Sequence, residues 1–219
     1  MLRKIRVTLA VVCFTLITLL FLDFTGTLHA WFGWLAKIQF LPAVLALNVG
    51  VIVALLALTL LSGRVYCSVI CPLGVFQDAI SWISGKRKKK KYRFSYSPAV
   101  SWLRYGALAL FVVAAVAGIG SLVALLAPYS SYGRIVQNLF APAYQWGNNL
   151  LAYLAERAGS YAFYRTEVWM KSLPTFLVAA VTFVTLIVLA WRNGRTYCNT
   201  ICPVGTVLVF FPGIPCSVR

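Results

Sequence analysis

Long apolar blocks alternate with short polar stretches along this chain. Residues 7–22, 38–61, 106–127 and 173–191 contain no Lys, Arg, Asp or Glu. The last three meet the length of about 17–25 apolar residues needed to cross a bilayer core of about 30 Å. The first is shorter and follows Met-Leu-Arg-Lys-Ile-Arg. It has the outline of a signal peptide, but its apolar stretch is long for one and Leu28-His29-Ala30 is a poor cleavage site. It is therefore read as an uncleaved first helix. The pattern predicts an all-α, polytopic membrane protein with four transmembrane helices. After the second block, "LGVFQDAISWISG" places Val75, Phe76, Ile80 and Ile83 at helical spacing, which predicts a short helix lying in the interface. The polar segment 128–171 is rich in Tyr, Trp, Asn and Gln and is expected as an outer loop with an interfacial aromatic belt. A docking surface or one wall of a quinone pocket is the other reading of that loop.

Composition agrees with the pattern. The chain is 61% hydrophobic and 11% charged, with a mean hydropathy of +0.85, whereas soluble domains are about half apolar and about a quarter charged. Twenty Lys and Arg against four acids give +16. In a soluble protein that excess would point to nucleic acid. Here it follows topology: with the N-terminus inside and four spans, fifteen basic residues fall inside and five outside, as the positive-inside rule requires. The run "KRKKKKYR" (residues 86–93) is then an orientation signal in contact with the lipid bilayer's anionic headgroups. No nucleic-acid module accompanies the charge, so no nucleic-acid partner is expected.

One motif is written twice. "GRVYCSVICPLG" at 63–74 returns as "GRTYCNTICPVG" at 194–205, identical at eight of twelve positions. Each copy ends a helix pair, which divides the chain into 1–95 and 96–219 as parallel repeats that can face one another about an axis along the membrane normal. Within each copy the cysteines are four apart, Cys67 with Cys71 and Cys198 with Cys202. Pro72 and Pro203 push the residue before them out of helix and suit the first position of a new one. Cys71 and Cys202 are therefore expected to cap new helices, where the dipole, helped by Arg64 and Arg195, favours a thiolate and lowers its pKa. Gly74 and Gly205 read either as close-approach glycines or as ordinary turn glycines. Four thiolates suit zinc, copper(I) or an iron–sulfur cluster, and the blander reading is small apolar cysteines at helix ends. Cys13 falls mid-block and is read as packing. Cys216 has no counterpart, His29 is read as a surface residue, and Gln39 and Asn48 are expected to hydrogen-bond to another helix.

With these motifs, the chain resembles the membrane polyferredoxins, the family of NapH-, NosR- and CcoG-type proteins with paired Cys-x-x-x-Cys-Pro motifs. The resemblance covers nearly the whole chain. It implies a bacterial inner-membrane protein with both motifs cytoplasmic, a [4Fe–4S] cluster, and electron transfer between the quinone pool, ferredoxin domains and a redox partner protein. Carried over by residue, the motif cysteines are Cys67, Cys71, Cys198 and Cys202. The family's Cys-x-x-Cys-x-x-Cys ferredoxin runs do not follow Cys202, so the expectation is a shortened or frame-shifted form, or one that borrows a partner's ferredoxin. The chain carries no triad, phosphate loop or paired carboxylates, so an electron-transfer component is expected rather than a stand-alone enzyme. The alternatives are a membrane thiol–disulfide oxidoreductase and a zinc-stapled scaffold or assembly factor.

Overall fold

The structure, a computed structural model, describes residues 2–23, 26–46, 48–62, 65–87, 101–157, 164–167 and 172–209. Arg64, the basic run beyond Arg87, and Cys216 lie outside the described residues. Every regular element among the described residues is helical, with no strand. In chain order the helices are α1 (Leu2–Leu22), α2 (Thr27–Phe32), α3 (Trp34–Lys37), α4 (Phe40–Leu45), α5 (Val49–Ser62), α6 (Pro72–Arg87), α7 (Ser101–Val116), α8 (Gly120–Leu126), α9 (Pro128–Ile135), α10 (Ala141–Arg157), α11 (Leu173–Asn193), α12 (Thr196–Thr200) and α13 (Pro203–Val209). Two π-helical turns, Tyr66–Ile70 and Val136–Phe140, join the series.

Two of the four apolar blocks form unbroken helices long and apolar enough to cross a membrane, Lys4–Leu22 and Leu173–Arg192. Their threonines need no outside partner. Thr8, Thr15 and Thr18 in α1, and Thr182 and Thr185 in α11, each donate to the carbonyl four residues back, which hides the hydroxyl on an apolar helix. Helix α11 starts with Pro174 in its first turn and stops at Gly194, whose φ of 73° is a conformation open mainly to glycine.

The other two blocks are divided. Block 38–61 is divided between α4 and α5: Asn48 Oδ1 accepts the N–H of Val51 and starts α5, and α4 packs back on α5. Block 106–127 breaks at Gly118, in the left-handed region at φ 71°, and α8 turns back on α7. Both blocks are apolar enough to span, yet a local stop signal outweighs continued helix. Asn48 therefore caps its own helix, whereas Gln39 does bond elsewhere: its Nε2 donates to the Ile70 carbonyl and its Oε1 accepts from the Tyr66 hydroxyl.

The expected outer loop is also corrected. Helices α9 and α10 occupy 128–157, and α9 is drawn into the core. Tyr132 is fully buried, its hydroxyl 2.7 Å from Thr18 Oγ1 and its ring against Phe14, Phe21 and Phe76. Gly133 lets the Phe21 ring come close, since a Cβ there would lie 2.6 Å from Phe21 Cε1. Helix α6 forms as expected but does not lie alone at a surface. It runs beside α11, with Phe76 against Phe183 and Ser81 and Ser84 donating to the carbonyls of Ala190 and Trp191.

The main core joins Ile17 of α1, Leu55 of α5, Tyr132 and Ile135 of α9 and Leu186 of α11 with Cys67, Cys71 and Cys202. The cysteines thus belong to the centre of the packing. A smaller cluster, Leu41, Ala114, Val123 and Ala127, forms a second core.

Candidate metal centre

Each motif folds as a wide turn followed by a proline-started helix. In the first copy the Cys71 N–H reaches back five residues to the Tyr66 carbonyl, at 2.9 Å, and Cys71 is extended at φ −78°, ψ 114° before Pro72 opens α6. In the second, the Cys202 N–H reaches the Tyr197 carbonyl at 3.1 Å and Pro203 opens α13. The expected caps are present at both places. Single π-type turns within helical segments recur at functional sites because they re-aim side chains.

The glycines are of the close-approach kind. A methyl group at Gly74 would overlap the Cys67 carbonyl oxygen, and one at Gly205 would overlap that of Cys198. Each motif therefore closes on itself, with the new helix start pressed against the backbone of its first cysteine.

This closure gives the second cysteine of each pair backbone donors. The Gly205 N–H donates to Cys202 Sγ at 3.5 Å, and the N–H groups of Leu73 and Gly74 at Cys71, and of Val204 at Cys202, favour the thiolate in the same way. N–H groups at a helix start are the natural partners of an anionic sulfur. The thiols are nevertheless not poised to ionise alone. Burial pushes the Cys71 thiol well up, with the charges of Cys67 and Cys202 adding to it. Burial likewise raises Cys198, and pushes Cys202 up to about 12. At Cys71, Cys198 and Cys202 desolvation outweighs the expected lowering by the helix starts and, at Cys198, by Arg195. A bound cation reverses that balance, since a coordinating thiol is deprotonated outright.

Cys67, Cys71 and Cys202 belong to one core cluster, and Cys198 lies within electrostatic reach of all three. Cys67, Cys71 and Cys202 are buried and Cys198 is partly so, with none in a disulfide. Among the described residues, no three Cys, His, Asp or Glu side chains are arranged to hold a metal ion. The donor set still suits a [4Fe–4S] cluster, whose four thiolates each hold a different iron and need not converge on one point. Cys13 lies apart on α1 and His29 is exposed, as the sequence predicts.

The surroundings contain residues to which the sequence assigned no role. Tyr66 and Tyr197 anchor the two copies to other elements. The Tyr66 hydroxyl donates to Gln39 Oε1 and accepts the Phe40 N–H at 2.9 Å. The Tyr197 hydroxyl lies toward Ser131 on α9, whose own hydroxyl donates to the Leu125 carbonyl. Arg134 closes the same network on the carbonyls of Ala124 and Leu125 at the end of α8. Gln77 is buried, and its Nε2 donates to Cys198 Sγ at 3.4 Å. Asp78 takes Arg195 in a two-point ion pair that joins α6 to the second motif. The tyrosines were signalled by their repetition. Gln77 and Asp78 were signalled by the opposite, because Leu208 and Val209 stand at the matching positions of the second copy.

A family of 4Fe-4S binding domains matches residues 44–91 and 175–213. The matched stretches hold all four motif cysteines together with Gln77, Asp78 and Arg195. The match supports an iron–sulfur-binding protein. No curated protein and no solved structure gives a significant match. A cavity of about 410 Å³ lies between α4, α7, α8 and α9, lined by Leu41, Ala114, Gly118, Val123 and Tyr129 among others. It adjoins the smaller core, so a quinone site beside the cysteines finds no support in it.

Proposed function

We propose that this chain is a membrane-embedded electron carrier in which Cys67, Cys71, Cys198 and Cys202 hold one [4Fe–4S] cluster. The observation that carries this reading is the meeting of both cysteine pairs at one buried place, within the stretches that match a 4Fe-4S binding domain. When bound, such a cluster takes up and releases one electron without making or breaking a bond to substrate. The protein's part is to hold and shield it. Backbone N–H groups of Leu73, Gly74, Val204 and Gly205 face the sulfurs of Cys71 and Cys202. Leu73, Val204 and Leu208 exclude water around them. Burial of the cysteines also works against exchange with a substrate protein's thiols, which needs an accessible thiolate.

The membrane reading draws on the distribution of side chains. Ile5, Val7, Val11, Val12 and Leu19 of α1, and Leu177, Val181, Val184 and Val188 of α11, face outward, while Gln39, Gln77, Ser84, Ser131, Asn138 and Gln145 are buried. A soluble monomer does not expose apolar patches on this scale. In this reading the N-terminus and both motifs belong to the cytoplasmic half of a bacterial inner membrane. Electrons come from the quinone pool or a ferredoxin and go to a partner protein.

The test is anaerobic purification in detergent, with iron, zinc and acid-labile sulfide counted on one sample and spectra taken before and after dithionite. Iron with matching sulfide and a visible band that bleaches is the expected result. Zinc without sulfide makes the site a structural staple, and absence of both overturns the cluster reading.

A further inference from the structure

The two motifs are near copies, but their surroundings are not, and the difference gathers at one sulfur. Gln77 lies on α6, which the first motif starts, yet its amide reaches across to Cys198 of the second, Nε2 to Sγ 3.4 Å. It is 1% exposed, and its Oε1 has no partner among the described residues. A buried amide with an unmet acceptor is costly, so packing alone favours an apolar residue, as Leu208 is in the second copy. One residue further, Asp78 pairs with Arg195, three positions before Cys198. Burial works against the Arg195 charge, but the carboxylate, followed by the nearby Cys198 and Cys67, holds its pKa above the usual value. Asp78 thus fixes a permanent cation three positions before Cys198.

We propose that Gln77 and the Arg195–Asp78 pair are positioning residues that raise the reduction potential of the centre at its Cys198 corner. The inference rests on the cluster reading above and adds which of the chain's residues tune it. Reduction adds negative charge to the cluster and its sulfurs. An N–H donor on a sulfur and a fixed cation nearby both stabilise that charge, which makes the reduced form easier to reach. The second copy has no equivalent of either residue, since Leu208 and Val209 stand in their places. The reduced charge is therefore drawn toward Cys198.

The experiment is an anaerobic redox titration of the full chain in detergent, followed by electron paramagnetic resonance, on wild type, Gln77→Met, Gln77→Leu and Arg195→Gln. Met keeps the length of Gln without the N–H, and Leu copies the second motif. The expected result is wild-type iron and sulfide content in the Gln77 variants with a lower midpoint in all three. The shift expected is about tenfold in the reduction equilibrium, or about 59 mV for one electron. Equal midpoints at full iron content overturn the inference and leave the cluster reading standing. Loss of iron from both Gln77 variants also overturns it, because Gln77 then holds the site together rather than tuning it. Wild-type protein without iron overturns the cluster reading, and this inference falls with it.

Discussion

In the proposed centre Cys67, Cys71, Cys198 and Cys202 act together, while Cys13 sits apart on α1. Serine at any of the four should remove most of the bound iron, measured by iron and sulfide analysis, and Cys13→Ser should retain it. Equal retention in all five variants sinks the shared site. The glycines make a sharper test, because they bear no donor atom. Gly74→Ala and Gly205→Ala drive a methyl group into the carbonyls of Cys67 and Cys198, an overpacking that costs about 1–3 kcal/mol. Both should lose metal and melt earlier in detergent, whereas Gly106→Ala, where nothing lies within 4 Å, should not. Much of this scale was legible in the sequence, since repetition singled out the cysteines, prolines and glycines. The ionisation of the thiols was not. It depends on how many neighbours crowd them and how little water remains, and neither is written locally.

At the scale of elements, two apolar blocks became single helices and two did not. Composition could not separate them, because all four lack charge. Asn48 and Gly118 made the difference by offering the backbone a stop. Gly118 stands in open space at φ 71°, so Gly118→Ala should cost only the left-handed strain of about 1–2 kcal/mol. Gly133→Ala also meets the Phe21 ring, and so should unseat α9. Paired thermal unfolding in detergent, with the Gly133 variant the less stable, is the expected outcome. Tyr132→Phe, which loses only the bond to Thr18, should cost about 1 kcal/mol. The segment containing α9 reads as polar loop because Tyr, Ser and Arg dominate it. Those residues are polar in order to satisfy one another and Tyr197 inside the fold.

At the scale of the molecule, branched apolar side chains face outward on α1 and α11, while Gln39, Gln77, Ser84, Ser131, Asn138 and Gln145 of other elements are buried. A chain of this kind should remain with the membrane pellet after an alkaline carbonate wash. Release into the supernatant contradicts the bilayer reading. The Lys-rich stretch after α6 should matter for orientation rather than for metal. Replacing its lysines with glutamine is expected to leave the iron content unchanged while altering the protease accessibility of that loop in sealed vesicles.

Apolar runs of spanning length, a twice-written cysteine motif and a proline after each second cysteine are all local features. They dictated helical class, helix starts and the identity of the candidate ligands without reference to anything distant. The meeting of Gln77 with Cys198, of Asp78 with Arg195 and of Tyr197 with Ser131 joins residues far apart in the chain, and no local pattern encodes such a distance. Those pairings, and the burial that raises the thiols, arose only when α1, α6, α9 and α11 packed together. Packing selects among the polar residues available and leaves water no room to compete for them.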